Sequence, residues 1–493
     1  MGCDPPAVTL PVVTGRKRTR SLGRVRTTSP GYSITLRAIA SPELHARGAI
    51  VNAVAKAGGI VTALDVSEPT PGSVRLDISC NAHDTDHVKE IVAALEALDG
   101  CHVEKVSDRV FLAHLGGKLE VHVKAPMRHR DDLARIYTPG VARVCEAIAE
   151  NPDDVRRLTI KRNSVAVVSD GSAVLGLGDI GAAAAMPVME GKAALFKRFA
   201  DVDAWPICIA SNDVDEIVRT VELIATGFGG INLEDIAAPR CFEIEARLRE
   251  RLDIPVFHDD QHGTAIVVTA ALRNALRLVG KKLSDARIVM SGAGAAGSAV
   301  ARLLLESGAH DIVMYDLKGS LHKGRTDLDP LRTALITRMN PRNVTAPMKE
   351  ALRDADVFIG LSAPNILTGE DISVMAKDSI VFALANPDPE ISPVIAAEHA
   401  RVVATGRSDY PNQINNVLAF PGVFRGLLDA GAYRITDEIL LAAADAISSC
   451  VSDEELNAVY IVPSVFHPEI TKRVAEAVRR AARSGKTAPV GER

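Results

Sequence analysis

A chain of 493 residues exceeds what one hydrophobic core usually holds, and about 150 residues per domain sets an expectation of roughly three domains. With 47% hydrophobic and 24% charged residues the composition is that of an ordinary soluble protein, and a formal net charge of -5 argues against nucleic acid as the main partner, since phosphate binding wants a concentrated basic surface. No apolar run approaches the ~20 residues of a membrane helix, and the seven cysteines show no CxxC or zinc-ligand spacing, which points to a reducing cytoplasm.

Residues 16–26 carry six basic side chains and no acid occurs between Pro5 and Pro42, so residues 1–29 are expected to form a disordered basic tail. From Tyr32 the pattern turns regular. YSITLRAIA, GIVTALDVSE, SVRLDISC and VEKVSDRVFL alternate as strands do, while LHARGAIVNAVAKAG and TDHVKEIVAALEAL have helical spacing. The order βαββαβ over residues 30–113 predicts a ferredoxin-like unit. This unit resembles the ACT domain, a regulatory module that binds small effectors, often amino acids; a role in oligomerisation alone is the other reading.

Beyond HLGGKLEVHVK, IYTPGVARVCEAIAENP reads as a turn and a helix, and the short apolar strands SVAVVSD, WPICIA, FGGINLED and IPVFHDD alternate with helices over residues 120–270. That rhythm predicts a parallel sheet covered on both faces. Three of the four strands end in acids. Ligands sit at the carboxyl ends of strands in such sheets, so Asp170, Glu234, Asp235, Asp259 and Asp260 are expected to converge on one crevice. PVFHDDQHGTAI leaves two options open by itself. One aspartate would suffice to cap the helix that follows; two side by side repel unless a cation or a proton separates them.

Residues 271–440 read as a second α/β unit with strands RIVMSG, DIVMYD, DVFIGLS, IVFALAN and VVATG, followed by helices over 441–493. GxGxxG occurs twice. Gly292-Ala-Gly294-Ala-Ala-Gly297 follows a strand, opens a helix and is followed by a strand ending in Asp316, nineteen residues after Gly297, which is the complete dinucleotide-binding layout. Asp316 would accept from the adenine ribose and favours NAD. Lys318, His322, Lys323 and Arg325 nearby weaken that preference and keep NADP possible. Gly176-Leu-Gly178-Asp-Ile-Gly181 lacks the matching acid and reads as a packing or substrate-side turn.

A nicotinamide cofactor takes hydride from a carbinol carbon, which needs a base for the hydroxyl proton. If the resulting β-keto acid loses CO2, a divalent cation stabilises the enolate, and Glu234, Asp235 and one of Asp259 and Asp260 offer hard oxygen ligands for it.

YTPGV, DGSAVLGLGDIG, MPVMEGKAALF, INLEDI, PVFHDDQHGTA, GAGAAG, ANPDPE and PNQINNVLAFPG, in this order over roughly residues 125–480, resemble the malic enzymes, especially their shorter bacterial type. The resemblance implies an α/β substrate and metal domain followed by a Rossmann-type domain, and oxidative decarboxylation of L-malate to pyruvate and CO2 with NAD and Mg2+ or Mn2+. It makes Tyr137 the acid that protonates the enol carbon, Lys192 the base, and Glu234, Asp235 and Asp260 the metal ligands. Asp259 beside them would tune Lys192. Gly292, Gly294, Ala295 and Gly297 would carry the pyrophosphate, and Asn386 and Asn416 would contact substrate carboxylate or nicotinamide. His258 and His262 are expected to be structural. Larger members place an arginine where this chain has Ala173, so another donor must take a substrate carboxylate. A homodimer or larger assembly is implied. A malolactic-type enzyme that keeps its cofactor, and a metabolite-binding regulatory protein without activity, are the competing readings.

Overall fold

The structure, a computed structural model, describes residues 28–41, 44–70, 72–174 and 176–484. Apart from Thr28 and Ser29, the expected basic tail lies outside the described residues. Two compact units divide the chain, one ending at Gly117 and one beginning at Lys118.

The first unit holds β1 (Ser33–Ala40), β2 (Ile60–Thr70), β3 (Ser73–Asn81) and β4 (Cys101–Asp108), with helices Leu44–Lys56 after β1 and Thr85–Glu96 after β3. The sheet order is β2-β3-β1-β4, and every neighbouring pair is antiparallel. Along β3, Val74, Leu76, Ile78 and Cys80 are buried while the residues between them are partly exposed. That is the period of two a one-sided sheet requires, and these side chains meet Ile50, Val54, Ile91 and Leu95 of the two helices. The alternating pattern expected to continue through VFL stops earlier. Asp108 accepts from Val110 N–H (2.8 Å) and Phe111 N–H (3.2 Å), so it caps a short helix, Arg109–His114, and ends β4.

In the second unit β5 (Ser164–Ser169), β6 (Asp203–Cys208), β7 (Gly230–Leu233) and β8 (Val256–His258) form a parallel sheet of order β6-β5-β7-β8. Every residue of β5, β7 and β8 is buried, as expected for strands covered on both faces. A second sheet contains β9 (Arg287–Ser291), β10 (Asp311–Asp316), the two-residue β11 (Gly319–Ser320), β12 (Val357–Gly360), β13 (Ile380–Ala383) and β14 (Val402–Thr405) in the order β11-β10-β9-β12-β13-β14. It is parallel except for the β11 edge.

One continuous apolar core joins the two sheets: Val165 and Val167 of β5, Ile288 and Met290 of β9, and Ile439, Val474 and Val478 of the C-terminal helices belong to it. Helix Thr264–Val279, buried along most of its length, runs straight through the boundary expected at residue 270. At the centre, Phe424 meets Phe196 (5.2 Å between ring centroids) and Phe257 (5.7 Å) edge-on, and Phe196 meets Phe420 at 4.7 Å. All four rings are fully buried. Phe424→Ala is expected to cost about 3–5 kcal/mol through lost burial and the cavity left behind, read as a lower unfolding midpoint in denaturant.

Candidate active site

The carboxyl ends of β7 and β8 lie side by side. β7 runs into Glu234-Asp235, and β8 into a single π-helical turn, Asp259–Gly263, that opens helix Thr264–Val279. Asp235 takes a left-handed backbone conformation (φ 53°), and its N–H donates to Asp260 Oδ2 at 2.9 Å, which ties the two strand ends together. Oxygens of Glu234, Asp235 and Asp260 all lie within 4.8 Å of one another. Neither Asp259 nor Asp260 caps the helix. Asp259 Oδ1 instead lies against Gly263, where a Cβ would come within 2.0 Å of it, so that position admits only glycine. Buried side-chain oxygens Asp235 Oδ2 and Asp259 Oδ1 have no hydrogen-bond partner among the described residues. Three converging carboxylates and orphaned oxygens fit a hard divalent cation.

Lys192, from helix Ala182–Ala200, reaches this cluster: its Nζ lies 2.6 Å from Asp259 Oδ2 and 2.9 Å from Glu234 Oε1, over the Phe420 ring at 4.3 Å. Burial works against its charge, yet the two carboxylates outweigh it and hold the ammonium above the ordinary lysine range. For the acids, burial dominates. It pushes Glu234 well above the usual carboxylate range, with Asp259, Asp260 and Asp235 adding to the rise, and lifts Asp235, aided by Asp260, to about 7. Asn416 donates to Asp259 Oδ2 (3.1 Å), and Asn232 to Glu234 Oε2 (2.9 Å). The structure therefore brings Lys192, Glu234, Asp235, Asp259, Asp260 and Asn416 together.

Asp170 lies near enough for its charge to add to the burial-driven rise of Asp235, yet it is not one of the three carboxylates whose oxygens converge. Its carboxylate is taken by Arg240 (2.9 Å) and by the backbone N–H (3.0 Å) and hydroxyl (2.5 Å) of Ser172, so it braces the loop that follows β5. Tyr137 is 65% exposed, and its hydroxyl has no partner among the described residues. Asn386 stands on the loop after β13, which Glu390 anchors by accepting Ser362 N–H (2.9 Å) and Ala385 N–H (3.0 Å). Gly171 carbonyl accepts from Ile180 and Gly181 N–H, consistent with a packing turn at GLGDIG.

Glu245 escaped the sequence reading. Buried, it accepts from His262 Nε2 (2.5 Å) and Gln261 Nε2 (3.0 Å) and so clamps the turn that carries Asp259 and Asp260 from behind. Burial alone would raise its pKa; His262, with His258 and Arg249, holds it at about 2. A signal existed in RCFEIEARLRER, because Glu245 shares the helix face of Cys241, Ile244 and Leu248, all buried. This accounts for His262. His258 is also fully buried, and burial lowers its pKa.

The GAGAAG loop follows β9 and opens helix Ala295–Glu306, which packs against the Asp259–Gly263 turn. Gly292 (φ 103°) passes so close to Leu361 that a Cβ would sit 2.3 Å from its carbonyl, and at Gly297 a Cβ would meet Gly292 carbonyl at 1.9 Å. Nothing lies within 4 Å of the Cβ direction of Gly294, the one position left open, as a pyrophosphate-binding backbone requires. Arg332, unremarked in the sequence, donates to Ala293 carbonyl (2.9 Å) and braces the loop. Asp316, at the end of β10, is gripped by Arg325 through Nη1 (3.2 Å) and Nη2 (2.9 Å), and Arg325 is shared with Asp327 (2.5 Å). An arginine held by two carboxylates is not free for a 2'-phosphate.

A dinucleotide loop packed against hard oxygen donors and a buried lysine defines a nicotinamide-linked α/β oxidoreductase. Family models for the malic enzyme N-terminal domain (residues 116–213 and 210–249) and for the malic enzyme NAD-binding domain (residues 261–483) match the chain. The NAD-dependent malic enzyme of Geobacillus stearothermophilus is 54% identical over 450 residues, covering 91% of this chain and 94% of that one; this stretch is longer than Lys118–Arg493 and so takes in part of the first unit. The bifunctional malic/malolactic enzyme of Bacillus subtilis (strain 168) is 52% identical over 386 residues, covering 78% and 92%. The crystal structure of malic enzyme from Pyrococcus horikoshii Ot3 superposes with a TM-score of 0.73 at 50% identity, covering 76% of this chain and 88% of that one. The chain belongs to the malic enzyme family.

Asp260→Asn is expected to weaken Mn2+ binding by at least about tenfold, measured by calorimetry on the metal-free protein, while NAD binding stays within about twofold. Asp316→Ser, which leaves Asp327 as the one carboxylate paired with Arg325 among the described residues, should lower the ratio of kcat/KM for NAD over NADP by about tenfold or more.

Proposed function

We propose that this protein oxidatively decarboxylates L-malate to pyruvate and CO2, reducing NAD, with Mg2+ or Mn2+ held by Glu234, Asp235 and Asp260. The observation that carries this reading is the three-carboxylate cluster with Lys192 bonded beside it, adjoining a loop shaped for a dinucleotide. When bound, the cation supplies Lewis-acid stabilisation for the developing oxygen charge.

The base must be a neutral amine. Lys192 is an ammonium while Asp259 and Glu234 both hold it; Glu234 would be among the residues that hold the cation, and Asp259, 2.6 Å from Nζ, is the acceptor placed to take the lysine's proton. Lys192 then takes the malate hydroxyl proton as hydride leaves C2 for NAD. Loss of CO2 from the β-keto acid gives an enol, and protonation of its C3 by Tyr137 completes pyruvate. Asn416, already turned to Asp259, and Asn386 orient substrate carboxylate and nicotinamide. The aromatic floor under Lys192, Phe420, keeps water from the amine.

Tyr137 needs a wall it lacks in one chain. Val121 (75% exposed), Val123 (68%), Met127 (53%) and Leu133 (51%) precede it in an apolar stretch open to solvent. We propose that a second copy covers this stretch and encloses the tyrosine, making the active enzyme a homodimer or larger. The first unit, with its antiparallel βαββαβ connectivity, is proposed as an ACT-like effector-binding domain.

Purified protein given L-malate, Mn2+ and NAD should release NADH and pyruvate in equal amounts. Lactate without NADH would favour the malolactic reading, and absence of any product with either NAD or NADP would sink the proposal. Tyr137→Phe is expected to keep NADH formation from malate while slowing conversion to pyruvate by ~100-fold or more, with the enol of pyruvate accumulating.

A further inference from the structure

The amino ends of β5 and β7, at the edge of the sheet away from the carboxylates, adjoin a cavity of about 270 Å³. On one side it is lined by Arg156, Arg157, Lys161 and Arg162, which lead into β5; on the other by Leu428–Gly431, the C-terminal end of helix Phe420–Ala430. Among the lining residues four cations stand against one carboxylate, Asp429, and that acid is already taken by Arg425 at 2.6 Å.

The cations are unequally matched. Arg157 pairs with Asp154 (3.0 Å), and Arg156 donates to Asp253 carbonyl (3.0 Å) while lying over the Tyr433 ring. Lys161 is only 7% exposed, and its Nζ, with three N–H bonds to offer, reaches a single acceptor among the described residues, Ala225 carbonyl, at 3.5 Å. Arg162 is exposed, and its guanidinium has no partner among the described residues. The helix C-terminus contributes the equivalent of about half a negative charge, too little for two unmatched cations. Burial depresses the pKa of Lys161 and Arg156 adds to this, with only Asp253 opposing. A buried ammonium that makes no ion pair among the described residues, with Asp253 acting only at a distance, is costly, so its retention here calls for an anion.

We propose that this cavity binds a small polyanion with two or more negative charges on oxygen, of the size of a diphosphate, through Lys161 and Arg162, with Arg156 and Arg157 completing the charge. Arginine forks and a buried lysine are the donors such oxygens select. Helix Phe420–Ala430 lines the cavity with its last turn and lies under Lys192 with its first residue, so cavity and catalytic cluster share one rigid element. This inference is independent of the reaction proposed above.

The test is calorimetric titration of the full-length protein with inorganic pyrophosphate, without divalent metal, at constant ionic strength and with saturating NAD to block the glycine loop. We expect one site per chain with submillimolar Kd. Lys161→Met and Arg162→Glu should each weaken it about tenfold or more while NAD affinity is unchanged. No binding in the presence of NAD, or equal affinity in the wild type and Arg162→Glu, overturns the proposal. Arg162 is exposed, so its variant decides the matter even where Lys161→Met fails to fold.

Discussion

Four carboxylates crowded at the carboxyl edge of one parallel sheet, with a single ammonium among them, set the terms for the rest of the second unit. Two like charges about 4 Å apart repel by roughly 4 kcal/mol at the effective dielectric of a protein's outer layers, and more where water is excluded. Glu234, Asp235 and Asp259 are all buried, so the fold must hold them against that repulsion. It does so with the ion pairs of Lys192, the Asp235 N–H on Asp260, and the amides of Asn232 and Asn416. What these leave unmet is a net negative cluster with orphaned oxygens, which is what a divalent cation relieves.

Holding such a cluster requires a stiff frame. Behind the ligand-bearing turn stands Glu245 with His262 and Gln261, a buried acid that can stay ionised because imidazole and guanidinium answer its charge. Below lies the knot of Phe196, Phe257, Phe420 and Phe424, whose rings come from three separate stretches of chain and lock the lysine-bearing helix, β8 and the helix after Asn416 together. The dinucleotide loop completes the arrangement. Its helix packs on the same turn, so the phosphate-binding backbone and the acids keep a common reference.

Much of this was legible in the residues. Period-two alternation marked the strands of the first unit, and unbroken apolar runs ending in acids marked the buried strands of the second, because burial on one face or two leaves its own hydropathy pattern. GAGAAG with Asp316 predicted a cofactor loop from spacing alone, and the three glycines then proved to have three different reasons. Elsewhere local pattern misled. Asp108 looked like one more polar position in a strand and became a helix cap. A boundary drawn at residue 270 fell inside a helix, since a core shared by two sheets leaves no mark in composition. Asp170 ends a strand at the same edge and its charge is felt by Asp235, but Arg240, 70 positions away, claims its carboxylate.

By itself, the sequence determined the elements, the family, and which residue types could do chemistry, since those follow from short-range spacing and from motifs kept in order. Only the tertiary structure decided who faces whom: Lys192 between Asp259 and Glu234, Arg325 between Asp316 and Asp327, Glu245 behind His262. The same holds for PVFHDDQHGTAI. Its composition permits a helix cap or a metal site, and the helix cap falls away because both aspartates are drawn from the helix end by partners that arrive from other strands and helices.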